Sequence, residues 1–164
     1  MIEEMALRRY GYGRWQAPFW FIGPEEAKAR DEDIQIRLQA WLSLGNPEVC
    51  DCKEFHDRIK VRKWHQPPPP LQPTWRRLML LLLSFQDKSA DQRSLRLYQM
   101  SRWGAAGGDT CVLELSGLPA HSYSESRKQK IFEQSKSDEI RRQRIAHIQQ
   151  QIAEHPPRFV VMYG

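Results

Sequence analysis

The sequence predicts one α/β domain over residues 1–164, built on a small parallel sheet of three strands flanked by helices and lacking a fourth strand. Three observations carry this expectation. Residues 19–22 (FWFI) form an unbroken apolar run between Pro18 and Gly23, the pattern of a strand buried on both faces. Residues 110–115 (TCVLEL) and 158–163 (RFVVMY) are two further apolar runs bounded by Gly and Pro. Helical segments separate the three runs, which is the order expected of parallel strands joined by helical crossovers.

Taken in order, residues 1–9 read as a short segment, frayed or helical. Residues 10–15 (YGYGRW) alternate aromatics with glycines, which prevents a regular helix and suits a tight, closely approaching loop. Two readings of this loop stand side by side. Arg14 can pair with a phosphate while Trp15 or Tyr12 stacks on a base, or the rings simply cover the edge of the first strand. After that strand, Gly23 and Pro24 turn the chain and place the adjacent acids Glu25 and Glu26 just past the strand's carboxyl end. Ligands of open α/β sheets bind at that end. The structural alternative is that both acids sit at the amino end of a helix over residues 25–44, where the macrodipole favours carboxylates. Ile34, Leu38, Trp41 and Leu42 give that helix one apolar face, and Gly45-Asn46-Pro47 ends it.

Residues 49–64 carry no clear period. Cys50 and Cys52, with His56 and His65, invite a zinc reading, but C-x-C is tighter than the usual pair and no second pair follows. No metal and no cofactor are therefore expected. A proline tract at residues 67–70 is extended polyproline. Thr74 then caps a helix over residues 75–86, mostly apolar all round and hence buried. Another helix is expected over residues 92–103. The second strand carries Glu114, and an acid within so apolar a run belongs at an edge or at a site. Ser116 and His121 follow in its loop. Residues 138–154 are a helix with Ile140, Ile145, Ile148 and Ile152 as its apolar stripe, and the third strand closes the chain.

The net charge of +5 favours an anionic partner, nucleic acid before acidic protein or membrane. Arg127, Lys128, Lys130, Arg141, Arg142 and Arg144 are the candidate phosphate contacts, with a solvated surface as the plainer account. The longest apolar run, residues 78–84, is too short to span a bilayer. Three cysteines and no leader-like segment predict a reducing, cytoplasmic setting. The open edge of a three-stranded sheet leaves room for a protein partner or self-association.

Four segments, YGYGRWQAPFWFIGPEE (10–26), TWRRL (74–78), ELSGLP (114–119) and PPRFVVMYG (156–164), resemble the uracil-DNA glycosylase superfamily. The resemblance implies a glycosylase-like sheet with a DNA-facing cleft at the strands' carboxyl ends. It implies base flipping, stacking of the flipped base on an aromatic and hydrolysis of its N-glycosidic bond. By position, Glu25 or Glu26 would direct the water. Gly23, Pro24, Glu114 and Ser116 would lie against the base, with His121 nearby and Trp15, Tyr12 or Tyr123 stacked on it. The family's His-Pro-Ser type motif has no counterpart before Gly164, so the chain reads as truncated ahead of it. The expected function is that of a DNA-binding, base-excising hydrolase. The alternative is a non-catalytic homologue that binds nucleic acid or a protein partner.

Overall fold

A computed structural model describes residues 1–24, 33–118 and 134–164. In chain order it comprises α1 (Ile2–Arg8), β1 (Gly11–Tyr12), β2 (Phe19–Gly23), α2 (Asp33–Ser43), β3 (Val49–Cys50), α3 (Cys52–Arg58), a 3-10 turn (Arg62–Trp64), α4 (Pro73–Phe85), α5 (Gln92–Ser101), β4 (Thr110–Glu114), α6 (Gln134–Glu154) and β5 (Phe159–Met162). No helix among the described residues is long and apolar enough to cross a membrane.

The class is α/β, and the sheet has five strands rather than three, in the order β3-β1-β4-β2-β5. The three expected strands are β2, β4 and β5. They are adjacent and mutually parallel, with β2 at their centre. The two additions lie on the far side of β4, where β1 pairs antiparallel with β4 and parallel with β3. Each is two residues long, too short to show a period of two.

The glycines of YGYG explain how β1 reaches β4. Gly11 and Gly13 have φ of +154° and +103°. A Cβ at either would lie 2.0 Å from the Val112 carbonyl oxygen or 2.1 Å from that of Thr110. Only glycine combines that backbone conformation with so close an approach. The segment read as a loop is therefore a strand that only glycine permits.

Alternation along β2 divides the core. Phe19 and Phe21 face one cluster with Ile34, Leu38 and Trp41 of α2, Phe55 of α3, Leu78 and Leu82 of α4, and Leu95 of α5. Trp20 and Ile22 face the other, with Cys111, Leu113, Trp15 and Ile148 of α6. Helices thus cover both faces, the reason β2 and β4 are buried throughout. β5 lies at an edge and alternates between half-buried and exposed residues, with Val160 and Met162 outward.

Three helix starts are fixed by side-chain caps. Asp51 accepts from the Glu54 amide at 3.0 Å and Asp91 from the Ser94 amide at 2.7 Å. Gln72, not Thr74, caps α4, its Oε1 accepting from the Trp75 amide at 2.6 Å. Pro73 explains the shift: its fixed φ suits the first helical position and puts Thr74 inside.

Candidate functional site

The carboxyl ends of β2, β4 and β5 meet at one end of the sheet. Gly23 stands in register with Glu114, and Ile22 with Met162. The pairing runs past the strands. Leu115 donates its amide to the Gly23 carbonyl at 2.9 Å, and Ser116 donates to that of Pro24 at 2.7 Å. Pro24 and Ser116 therefore leave the sheet side by side. The Tyr163 ring covers Gly23 so closely that a Cβ there would lie 2.6 Å from it. Ser116 Oγ donates to the Leu118 carbonyl at 3.1 Å, closing a local turn. Glu114 is buried, with Arg144 within electrostatic reach.

Of the residues expected from sequence, Gly23, Pro24, Glu114 and Ser116 come together here. Glu25, Glu26, His121, Tyr123, Arg127, Lys128 and Lys130 lie outside the described residues. Three other expectations are corrected. Trp15 is core: its ring packs with Tyr10, Trp20 and His147, and its Nε1 donates to Glu48 at 3.0 Å. Tyr12 is core as well, buried against Phe55 and His56. Neither ring offers a face to a base. Arg14 is exposed, but its guanidinium donates to the Gly108 carbonyl at 3.1 Å, at the opposite end of the sheet.

Arg144 is the sharpest correction. It is 0% exposed, and its guanidinium is spent on backbone carbonyls rather than turned to a phosphate. Nη1 donates to Ala6 and Arg9 at 2.8 Å each, Nη2 to Glu114 at 2.6 Å and Nε to Leu115 at 3.2 Å. The Ala6 and Arg9 carbonyls belong to the end of α1, where a cation also meets the favourable pole of the helix dipole. The charged group lies over the Tyr10 ring at 4.5 Å. Burial lowers its pKa to about 10, so it stays protonated at neutral pH. One buried cation therefore ties α6 and α1 to the carboxyl end of β4. Arg141 is half-buried, and Arg142 is exposed with Glu139 at 2.8 Å; both remain on the outer part of α6.

A second cluster sits at the other end, beyond the carboxyl end of β3. Cys52, His56 and His65 are all buried, and their donor atoms lie within 4.8 Å of one another. Cys52 Sγ is 3.8 Å from His56 Nδ1 and 4.0 Å from His65 Nε2, and the two imidazole nitrogens are 2.8 Å apart. Burial lowers the pKa of His65, opposed by the charges of Asp57 and Asp51. Spacing rules for paired cysteines pass over this group because its third member arrives by tertiary folding. The legible signal was Cys52 and His56 at i and i+4, one face of a helix.

No family model, curated protein or solved structure matches this chain.

Proposed function

We propose that the protein binds nucleic acid at the carboxyl ends of β2 and β4 and hydrolyses the N-glycosidic bond of uracil or a related base. The observation that carries this reading is the register of Gly23 with Glu114. It brings Gly23–Pro24 and Glu114–Ser116, within the two segments on which the glycosylase resemblance most depends, out of the sheet as neighbours. In the reaction, the bond from C1′ to the base nitrogen breaks. Water supplies the new C1′–O bond, and its proton ends on the departing base. Glu25 or Glu26 orients that water and offsets positive charge on the sugar, a role for a carboxylate placed against the transition state. The net charge of +5 supports a nucleic-acid ligand. The three cysteines are buried and not joined in disulfides, which fits a reducing, cytoplasmic setting as part of the same reading.

Release of uracil from a single-stranded oligonucleotide is the test. Activity is expected in the native chain and lost in the double variant Glu25→Gln, Glu26→Gln. Turnover that survives the double variant would remove both acids from the mechanism.

A second reading is a non-catalytic nucleic-acid or protein binder, and the burial of Trp15 and Tyr12 favours it. Without those rings, no base-stacking aromatic remains from the original expectation among the described residues at this end. On this reading the chain binds oligonucleotide with steep salt dependence and turns over no base. The exposed Val160 and Met162 on edge strand β5 give a protein partner or a second copy an apolar strip. Sedimentation across a concentration series separates self-association from a strictly monomeric chain.

A further inference from the structure

We propose that Cys52, His56 and His65 form a closed binding site for a divalent ion of the zinc class, with water as the fourth ligand. The ion fastens α3 and the 3-10 turn to the sheet. The inference is independent of the nucleic-acid reading, because the cluster lies at the opposite end of the sheet from Gly23 and Glu114.

The donor set comes first. One thiol sulfur and two imidazole nitrogens, with no carboxylate among them, suit zinc and exclude the oxygen-seeking magnesium and calcium. Zinc lies about 2.3 Å from sulfur and about 2.0–2.1 Å from nitrogen. Tetrahedral geometry then sets S···N near ~3.5 Å and N···N near ~3.3 Å. The S···N separations of 3.8 and 4.0 Å are longer than this, and the N···N separation of 2.8 Å is shorter. Half an ångström of side-chain movement, roughly, reconciles them.

The ion-free alternative is a hydrogen bond between the two imidazoles, which 2.8 Å also describes. It satisfies one facing nitrogen with the other and leaves His65 Nδ1 buried without a hydrogen-bond partner among the described residues. With an ion, both facing nitrogens give their lone pairs to the metal, and the outward nitrogens carry the protons. His56 Nε2 then turns its N–H toward the Tyr12 hydroxyl, 3.5 Å away, in the manner of an outer partner that orients a ligating histidine.

The frame is already set for this. Asp51 caps α3 and also accepts the Ala106 amide at 3.0 Å, and the Cys52 amide donates to the Gly104 carbonyl at 2.9 Å. Trp75 stacks on the His56 ring with centroids 5.7 Å apart and planes 15° apart. The ligands are 0%, 5% and 6% exposed, so an ion here would be enclosed rather than presented to substrate. That makes its role structural.

The test is a titration of the full chain, dialysed against chelator, with cobalt(II) as a spectroscopic substitute for zinc. The expected result is a thiolate-to-cobalt charge-transfer band that saturates at one ion per chain and is abolished by added zinc. Cys52→Ser should lose the band and Cys50→Ser should keep it. Cys50 Sγ lies instead at 3.4 Å from the Gly11 carbonyl oxygen, and burial pushes the Cys111 thiol up, away from the ligating thiolate form. Should Cys52→Ser fail to fold, His65→Gln takes its place, with cobalt affinity expected to fall about tenfold or more. A folded native chain that shows no band in excess cobalt overturns the proposal, as does a band that survives Cys52→Ser.

Discussion

The two ends of the sheet solve the same problem, terminating buried strands, with opposite chemistry. At the carboxyl end of β4 the groups to be satisfied are carbonyls, and a single buried cation, Arg144, gathers those of Glu114 and Leu115 together with two from the end of α1. At the amino ends the tie is an anion. Asp109 accepts from the Tyr98 hydroxyl at 2.6 Å and from Gln86 at 3.2 Å, while its own carbonyl receives the Phe19 amide. At the same end lies a buried group of side-chain donor atoms, Cys52, His56 and His65. The difference teaches where each end can act. The carboxyl end is organised by backbone, with Pro24 and Ser116 leaving the sheet side by side. The amino end keeps its three donor residues out of solvent, as the proposed structural ion requires.

The largest effect should come from removing the cation. Arg144→Ala leaves four buried carbonyls without their donor and should cost about 3–5 kcal/mol, measured by denaturant unfolding. Arg144→Lys keeps the charge but loses the planar fork, so it should recover only part of this. A loss below about 1 kcal/mol, the worth of an ordinary hydrogen bond, would mean that the carboxyl end is held by packing and not by Arg144.

Zinc should rank next, acting on the other end. At about a hundredfold excess over its dissociation constant it should stabilise the chain by about 2.7 kcal/mol. Chelator should reverse the gain. The same addition to Cys52→Ser should change nothing, and an equal gain in that variant would place the ion elsewhere.

Gly11→Ala comes third and tests the join between β1 and β4, which lies between the two ends. Its Cβ would meet the Val112 carbonyl oxygen at 2.0 Å in a backbone conformation that alanine resists. A cost of about 1–3 kcal/mol is expected, visible as a lower Tm. Unchanged stability would show that β1 can leave β4 without consequence.

These particular residues also mark how far the sequence could be read. The three long strands were legible as unbroken apolar runs, which β2 and β4 owe to burial on both faces and which edge strand β5 keeps although Val160 and Met162 face outward. β1 and β3 were not, because two residues show no period and YGYG resembles a loop until its glycines are seen against β4. Arg144 was half legible. Ile140, Arg144 and Ile148 are spaced by four and share one face of α6, so the stripe of isoleucines already enclosed the arginine. Reading it by charge instead of by position put it on the surface. Cys52 and His56 were likewise spaced by four on one helix, but His65 joins them only through the fold. At the candidate site, Gly23, Pro24, Glu114 and Ser116 were grouped by the resemblance, and parallel strands bring their carboxyl ends to one end of the sheet. Trp15 and Tyr12 were not, since an aromatic beside glycine reads equally well as core or as platform.

The smallest effect on stability belongs to Arg141 and Arg142, and it sharpens the comparison from outside. Both lie on the outer part of α6, whose inner face Arg144 fixes to the carboxyl end of β4. Replacing the two with alanine should change stability by no more than about 0.5 kcal/mol, the usual range for surface sites. If the carboxyl end faces nucleic acid, the same double variant should weaken oligonucleotide binding. The slope of log affinity against log salt should then fall by about 1.4–1.8, the release expected for two phosphate contacts. Stability and affinity would then separate along one helix, with position 144 carrying the first and positions 141 and 142 the second. An unchanged salt slope would take α6 out of the nucleic-acid surface and leave the positive charge of the chain to act through other residues.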